Sequence, residues 1–227
     1  MRSYSRRTAD RPSSPHESVT GPLQLGRWTA LWHRLGARGD GRPVFDRLVA
    51  AYAEPSRAYH TAEHIEDCLS LFDASRSLAL HPDEVEAAIW FHDAVYVPAN
   101  TDNEARSAEL ARASLCDAEV PSEVAERIRG LVLDTRHGTI PDQPDAALLC
   151  DIDLAILGRP PEAFDLFERR IRQEYGIVPE PSYRRGRSQV LRGFLDRPSI
   201  FQTDWFRQQY EVAARSNLER VLATLSA

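Results

Sequence analysis

The chain contains no lysine; all 28 of its basic side chains are arginine. No ammonium group is therefore on hand to neutralise a buried carboxylate, so an acid forced inside must be answered by an arginine or by a bound cation. Positive charge is short overall as well: 28 arginines stand against 34 aspartates and glutamates, for a net charge of −6 at pH 7. That balance argues against a nucleic-acid polymer as partner, because a phosphate backbone demands a basic face. A small phosphorylated molecule needs only a local cluster. Apolar runs of membrane-spanning length are missing, and the first twenty residues carry arginine, serine and proline where a secretory leader needs an apolar stretch. The three cysteines, Cys68, Cys116 and Cys150, form no CxxC pair and each sits in an apolar helical setting. Buried, reduced thiols are expected, in a cytoplasmic protein with no membrane partner.

What is present is helix. Residues 1–22, "MRSYSRRTADRPSSPHESVTGP", hold too few apolar groups to bury and are expected to form a disordered tail. Residues 23–227 are expected to form one all-α domain, since apolar residues recur at helical spacing and no alternating segment calls for a sheet. The predicted helices cover 28–35 and 44–53, then start near His60 and at Pro82, the latter ending before Pro98. Further helices are predicted at 103–115, 122–134, 146–157, 161–175, 183–195 and 204–225.

Several ionisable residues fall where apolar ones belong. In "EVEAAIWFHD", Val85, Ala88, Ile89 and His92 follow i, i+3, i+4, i+7, so His92 lies on the inward face and Asp93 one step round from it. "AALLCDIDLAIL" is apolar on every side except at Asp151 and Asp153, and a helix of that kind is a buried one. In "YHTAEHIEDC", His60 and His64 stand one turn apart, at the start of a helix whose Ile65, Cys68, Leu69 and Phe72 form a buried face. Taken singly, each histidine reads as readily as a hydrogen-bonded core residue, and Asp153 could be held by an arginine. Together, His64, His92, Asp93 and Asp153 supply two imidazoles and two carboxylates from separate helices, the donor set of a divalent transition metal such as Mn, Fe, Co, Ni or Zn.

In order and context these residues resemble the HD superfamily of metal-dependent phosphohydrolases, whose pattern is a histidine, an adjacent His-Asp, and a distant aspartate on helices. His64, the "HD" of "WFHDAVY" and Asp153 in "DIDLAILG" match it. The "YHxxxHxxD" form of residues 59–67 is similar to the segment of cyclic-nucleotide phosphodiesterases in which the first histidine is the general acid and the second a metal ligand. "WFHDAVYVPANTDNEARSA" and "DIDLAILG" resemble a bacterial family of predicted HD phosphohydrolases, and the resemblance covers about residues 57–158.

The resemblance implies an HD-type helical bundle and one divalent metal held by His64, His92, Asp93 and Asp153, with Asp93 also at the reaction centre. Asp153 is preferred to Asp151 because it precedes leucine, as the family's last aspartate does. It further implies attack of a metal-activated water on the phosphorus of a small phosphorylated metabolite or nucleotide, with His60 protonating the leaving oxygen. Glu104 is expected to orient the water. Arg57 is either a bidentate clamp on a substrate phosphate or a surface charge. His137 binds substrate or a second metal, or merely complements a helix dipole. Among the arginines at 169, 170, 172, 184, 185 and 187, a minority is expected to face the cavity. Two other functions compete, a di-iron oxygenase on the same scaffold and a nucleotide sensor without turnover; a second metal and a homodimer are left open.

Overall fold

The computed structural model of the protein describes residues 23–225. These fold into α1 (Leu25–Arg34), α2 (Arg42–Tyr52), α3 (Ala62–Ser75), α4 (Pro82–Phe91), α5 (Asn103–Asp117), α6 (Ser122–Asp134), α7 (Pro144–Leu154), α8 (Pro161–Glu174), α9 (Glu180–Leu195) and α10 (Asp204–Leu225). Short 3-10 turns follow α3 at Arg76–Leu78 and α7 at Ala155–Gly158, and the described residues contain no strand. The fold is all-α, as the apolar spacing predicts. The tail expected at 1–22 lies outside the described residues.

Proline opens α2, α4, α7, α8 and α9, because its missing N–H would have no partner in a first turn anyway. Gly41 precedes α2 in the left-handed region, at φ +67°. A Cβ there would lie 2.7 Å from Trp28 Nε1, and that indole N–H donates to the Gly41 carbonyl, so the two tryptophans of α1 can close over the turn only above a glycine.

One continuous core runs through the described residues. Helix α4 is its axis, buried without interruption from Glu84 to Phe91, with α1, α3, α5, α6 and α7 packed around it. Helix α3 turns Ile65, Cys68, Leu69 and Phe72 inward as predicted. The C-terminal helices α8 and α10 join this body at the turn 155–158, and α9 leans on α10. Gly158 permits that joint, since a Cβ on it would stand 2.6 Å from the Tyr210 backbone oxygen. Between the body and the α8–α9 pair lies a cavity of about 490 Å³, within the size range of small-molecule sites. No helix among the described residues is long and apolar enough to cross a membrane.

Two expectations are corrected and a third is sharpened: helix α4, predicted to end before Pro98, stops at Phe91, with His92 as its last helical-geometry residue. The cause is Arg57, whose guanidinium takes the Asp93 carbonyl at 2.6 Å and the Ala94 carbonyl at 3.2 Å, drawing the chain out of the helix. Cys68 and Cys150 are buried, but Cys116 is exposed, because the inward face of α5 runs through Ala108, Ala111 and Leu115 and Cys116 stands one step round. Among the described residues Asp151 makes no ion pair with an arginine, though the charge of Arg207 is felt from further off, and it has no place in a metal-ligand group. Its carboxylate accepts the backbone N–H groups of Gln202 and Thr203, each at 2.7 Å, just ahead of α10.

Candidate metal centre and cavity

Three segments converge at one end of the cavity. His64 comes from the first turn of α3, His92 and Asp93 from the point where α4 stops, and Asp153 from the end of α7. His64 Nε2 stands 3.2 Å from His92 Nε2 and 3.2 Å from Asp153 Oδ1. His64, His92 and Asp153 each bring a ligand atom within 4.8 Å of the others. Asp93 Oδ2 adjoins them, 3.0 Å from His92 Nε2 and 3.6 Å from His64 Nε2.

The donor set fits a divalent cation. His92 donates from Nδ1 to the Ile89 carbonyl at 2.9 Å, which leaves Nε2 as the nitrogen that faces the cluster. Two imidazole nitrogens at 3.2 Å with two carboxylates beside them demand positive charge in the space they share. No arginine supplies it, since the ion-pair partners of Asp93 and Asp153 among the described residues are histidines alone. Burial raises the pKa of both acids, yet the hydrogen bonds of His137, His64 and His92 hold Asp153 well below the ordinary carboxylate range, and the charges of His92 and His60 do the same for Asp93. Burial likewise disfavours a charged His92, but the two acids outweigh it and raise its pKa well above the usual value. A proton and a divalent cation therefore compete for one place.

His60 lies one residue before the Thr61 cap of α3 and lines the cavity. Its Nδ1 is 2.7 Å from Glu174 Oε2, and its ring stacks on Tyr96 with centroids 4.0 Å apart. Glu174 was not foreseen as a site residue. It accepts the backbone N–H groups of Ala58, Tyr59 and His60 on one oxygen, and the Tyr96 hydroxyl and the His60 ring on the other. Its signal was present in the sequence: Phe164, Phe167, Ile171 and Glu174 form the buried stripe of α8, so an acid occupies a core position there, in a segment otherwise conspicuous for its arginines.

Burial pushes the Glu174 carboxyl up, but the His60 ring and the Tyr59 and Ala58 amides outweigh it and hold the acid at about 2. For His60, desolvation works downward and is overcome by the charge of Asp93 and the bond to Glu174, so its pKa is raised. The signs differ. Glu174 contributes stability that is present above its ordinary pKa and is lost as the pH falls toward about 2, whereas the contribution of His60 is present in acid and is lost as pH rises through its raised pKa. Glu174→Gln should cost about 2 kcal/mol at neutral pH, the range for hydrogen bonds to a charged group. It should also lower the His60 pKa. Urea denaturation and an NMR titration of the histidine rings check the two effects, and an unmoved His60 titration would count against the pairing.

The remaining expected residues divide. Glu104 lines the cavity and stands 3.7 Å from Arg136. His137, at φ +54°, sends Nε2 to Asp153 Oδ2 at 2.8 Å and is held in place by Arg197, which donates to its carbonyl. It thus braces a carboxylate of the cluster. The expectation that Arg57 clamps a phosphate is corrected, and so is its surface alternative. Its side chain is 1% exposed, it does not line the cavity, and four of its five N–H donors go to the carbonyls of His60, Asp93 and Ala94 and to Glu54. It fixes the two histidine-bearing segments against each other. Of the six C-terminal arginines singled out in the sequence, Arg187 alone lines the cavity.

No protein-family model, no curated protein and no solved structure matches the chain, so the geometry of this centre stands on the chain's own residues.

Proposed function

We propose that the protein is a metal-dependent phosphohydrolase of the HD type, acting on a small phosphorylated compound. The observation that carries this reading is the meeting of His64, His92 and Asp153 within 4.8 Å of one another at a cavity that His60 also lines. Two imidazoles and a carboxylate, with Asp93 beside them, are the ligands such a centre needs. A divalent cation bound there would polarise a phosphoryl oxygen and lower the pKa of a coordinated water, for zinc from about 15.7 to about 7.

The chain's own residues would do the rest. Asp153, braced by His137, and Asp93 hold the negative charge that selects a cation. Glu104, which lines the cavity, would accept a hydrogen bond from water. His60, whose pKa is raised by the charge of Asp93 and the bond to Glu174, would carry a proton on Nε2 for the oxygen that leaves phosphorus. As the bond from phosphorus to that oxygen breaks, the proton passes to it and a neutral alcohol departs.

The test is an assay of phosphoesters with Mn, Co, Ni and Mg on the full chain, with bound metal measured in parallel. His60→Ala should retain its metal and lose about 10²- to 10⁴-fold in turnover, the usual contribution of a side-chain acid. His92→Ala should lose the metal itself. A His60→Ala protein hydrolysing at the parent rate removes His60 from the mechanism, and a metal-free parent protein after loading removes the reading altogether.

A further inference from the structure

We propose that the wall of the cavity formed by α8 and α9 is a slot for one uncharged, ring-bearing apolar group, so that the preferred ligand is a monoester of phosphate with such a group and carries no second anion. The phosphate end of this assignment rests on the hydrolase reading; the slot does not. Phe167 and Ile171 of α8, Tyr183, Val190 and Phe194 of α9, and Tyr175 between the helices present aromatic and aliphatic surface to the cavity. Such a wall favours a flat apolar body, which it can contact edge-on or face-on.

Charge sets the second half of the assignment. The two arginines that line the cavity are both engaged with carboxylates. Arg187 forks onto both oxygens of Glu168 and lies over the Phe167 ring, and Arg136 stands 3.7 Å from Glu104. Asp93, Glu104 and Asp153 add negative charge to the lining. A metal at the cluster would receive one phosphoryl group; among the described lining residues Arg136 and Arg187 already face carboxylates and His60 is paired with Glu174, so a second anion would meet mainly the lining acids, which would repel it.

Gly186 lies on this wall. It sits inside α9, where glycine weakens a helix, and a Cβ on it would meet nothing within 4 Å. Close packing therefore does not require it. On the helix it shares a stripe with Ser182 and Val190, and all three line the cavity. The absent side chain leaves open the space that a ring would fill, which makes Gly186 a specificity-determining position.

The test uses calorimetry on the full-length, Mn-loaded protein with three non-hydrolysable probes: methylphosphonate, 1-naphthylmethylphosphonate, and the naphthyl compound bearing a ring sulfonate. The naphthyl probe should bind at least about tenfold tighter than methylphosphonate, from the apolar area it buries. The added sulfonate should remove at least about tenfold of that affinity. Gly186→Phe should bring the ratio of naphthyl to methyl affinity close to one. Val190→Trp tests the same wall if Gly186→Phe does not fold, as judged by circular dichroism. A ratio near one in the parent protein overturns the assignment, as does a ratio unmoved in a folded variant or equal binding of the sulfonated probe. Turnover separates the two claims. The expected ratios without hydrolysis of any phosphoester leave the slot standing and overturn the hydrolase reading, while hydrolysis with no preference for the naphthyl probe does the reverse.

Discussion

Asp153→Ala should weaken divalent metal binding by at least about 100-fold, whereas Asp151→Ala should leave it within a few-fold of the parent and cost stability instead. Removing even an outer partner of a metal ligand costs about 10- to 100-fold in affinity, and Asp153 is itself a donor of the cluster. The two acids stand two residues apart on α7, on nearly opposite sides of it. Asp153 meets His64, His92 and His137, while Asp151 ties the start of α10 to α7 through two backbone amides. Loss of that tie leaves two half-buried N–H groups without their partner, at about 1 kcal/mol or somewhat more. Asp151 also carries a pH signature, because burial pushes its pKa up to about 6 despite the amide bonds. Its folded form binds the proton more tightly than the unfolded chain, whose aspartates have pKa about 3.9. The parent protein should thus lose stability as pH rises from about 4 to about 6, and the difference between parent and Asp151→Ala should isolate that slope. Calorimetric metal titration and urea denaturation across pH decide the matter. Equal loss of metal in both variants would show that the cluster has been assigned to the wrong carboxylate or to none.

The second large effect lies far from the cavity. Glu86→Ala should destabilise the protein by about 2 kcal/mol, the scale of lost hydrogen bonds to a charged group, because the arginines left behind are 26%, 40% and 36% exposed and water takes up part of the cost. Glu86 is 2% exposed and accepts Arg27 on one oxygen and Arg34 and Arg76 on the other, each at 2.8 Å. Those arginines come from α1 and from the turn after α3, so a single carboxylate fastens two segments to the central helix. Without it, three guanidinium groups would face one another with only Asp73 and Asp83 to share. Asp73 provides the contrast. It also pairs with Arg27, but it is 56% exposed, and Asp73→Ala should cost under about 1 kcal/mol, as exposed pairs do. Urea denaturation measures both, and a Glu86→Ala loss no greater than that of Asp73→Ala would deny the buried carboxylate its role.

Much of this molecule is legible in one dimension. Apolar residues at helical spacing specified the helices and their inward faces, as in Ile65, Cys68, Leu69 and Phe72, because a helix that must bury one side has to repeat at 3.6 residues. The same rule exposed His92 and Asp153 as ionisable groups among apolar neighbours, since burying an uncompensated charge costs too much to occur without a cause.

What stayed hidden depends on partners distant in the chain. Arg57 reads as a free cation until the fold places Asp93 and Ala94 within its reach. Glu174 reads as one acid in an arginine-rich helix until the residues from Ala58 to His60 lie against it. Asp151 and Asp153 look alike until α10 claims one and three histidines the other. Periodicity is a property of neighbours along the chain, so the sequence alone determined which residues go inside. The partner that compensates each buried charge is a property of neighbours in space, and only the tertiary structure could decide it.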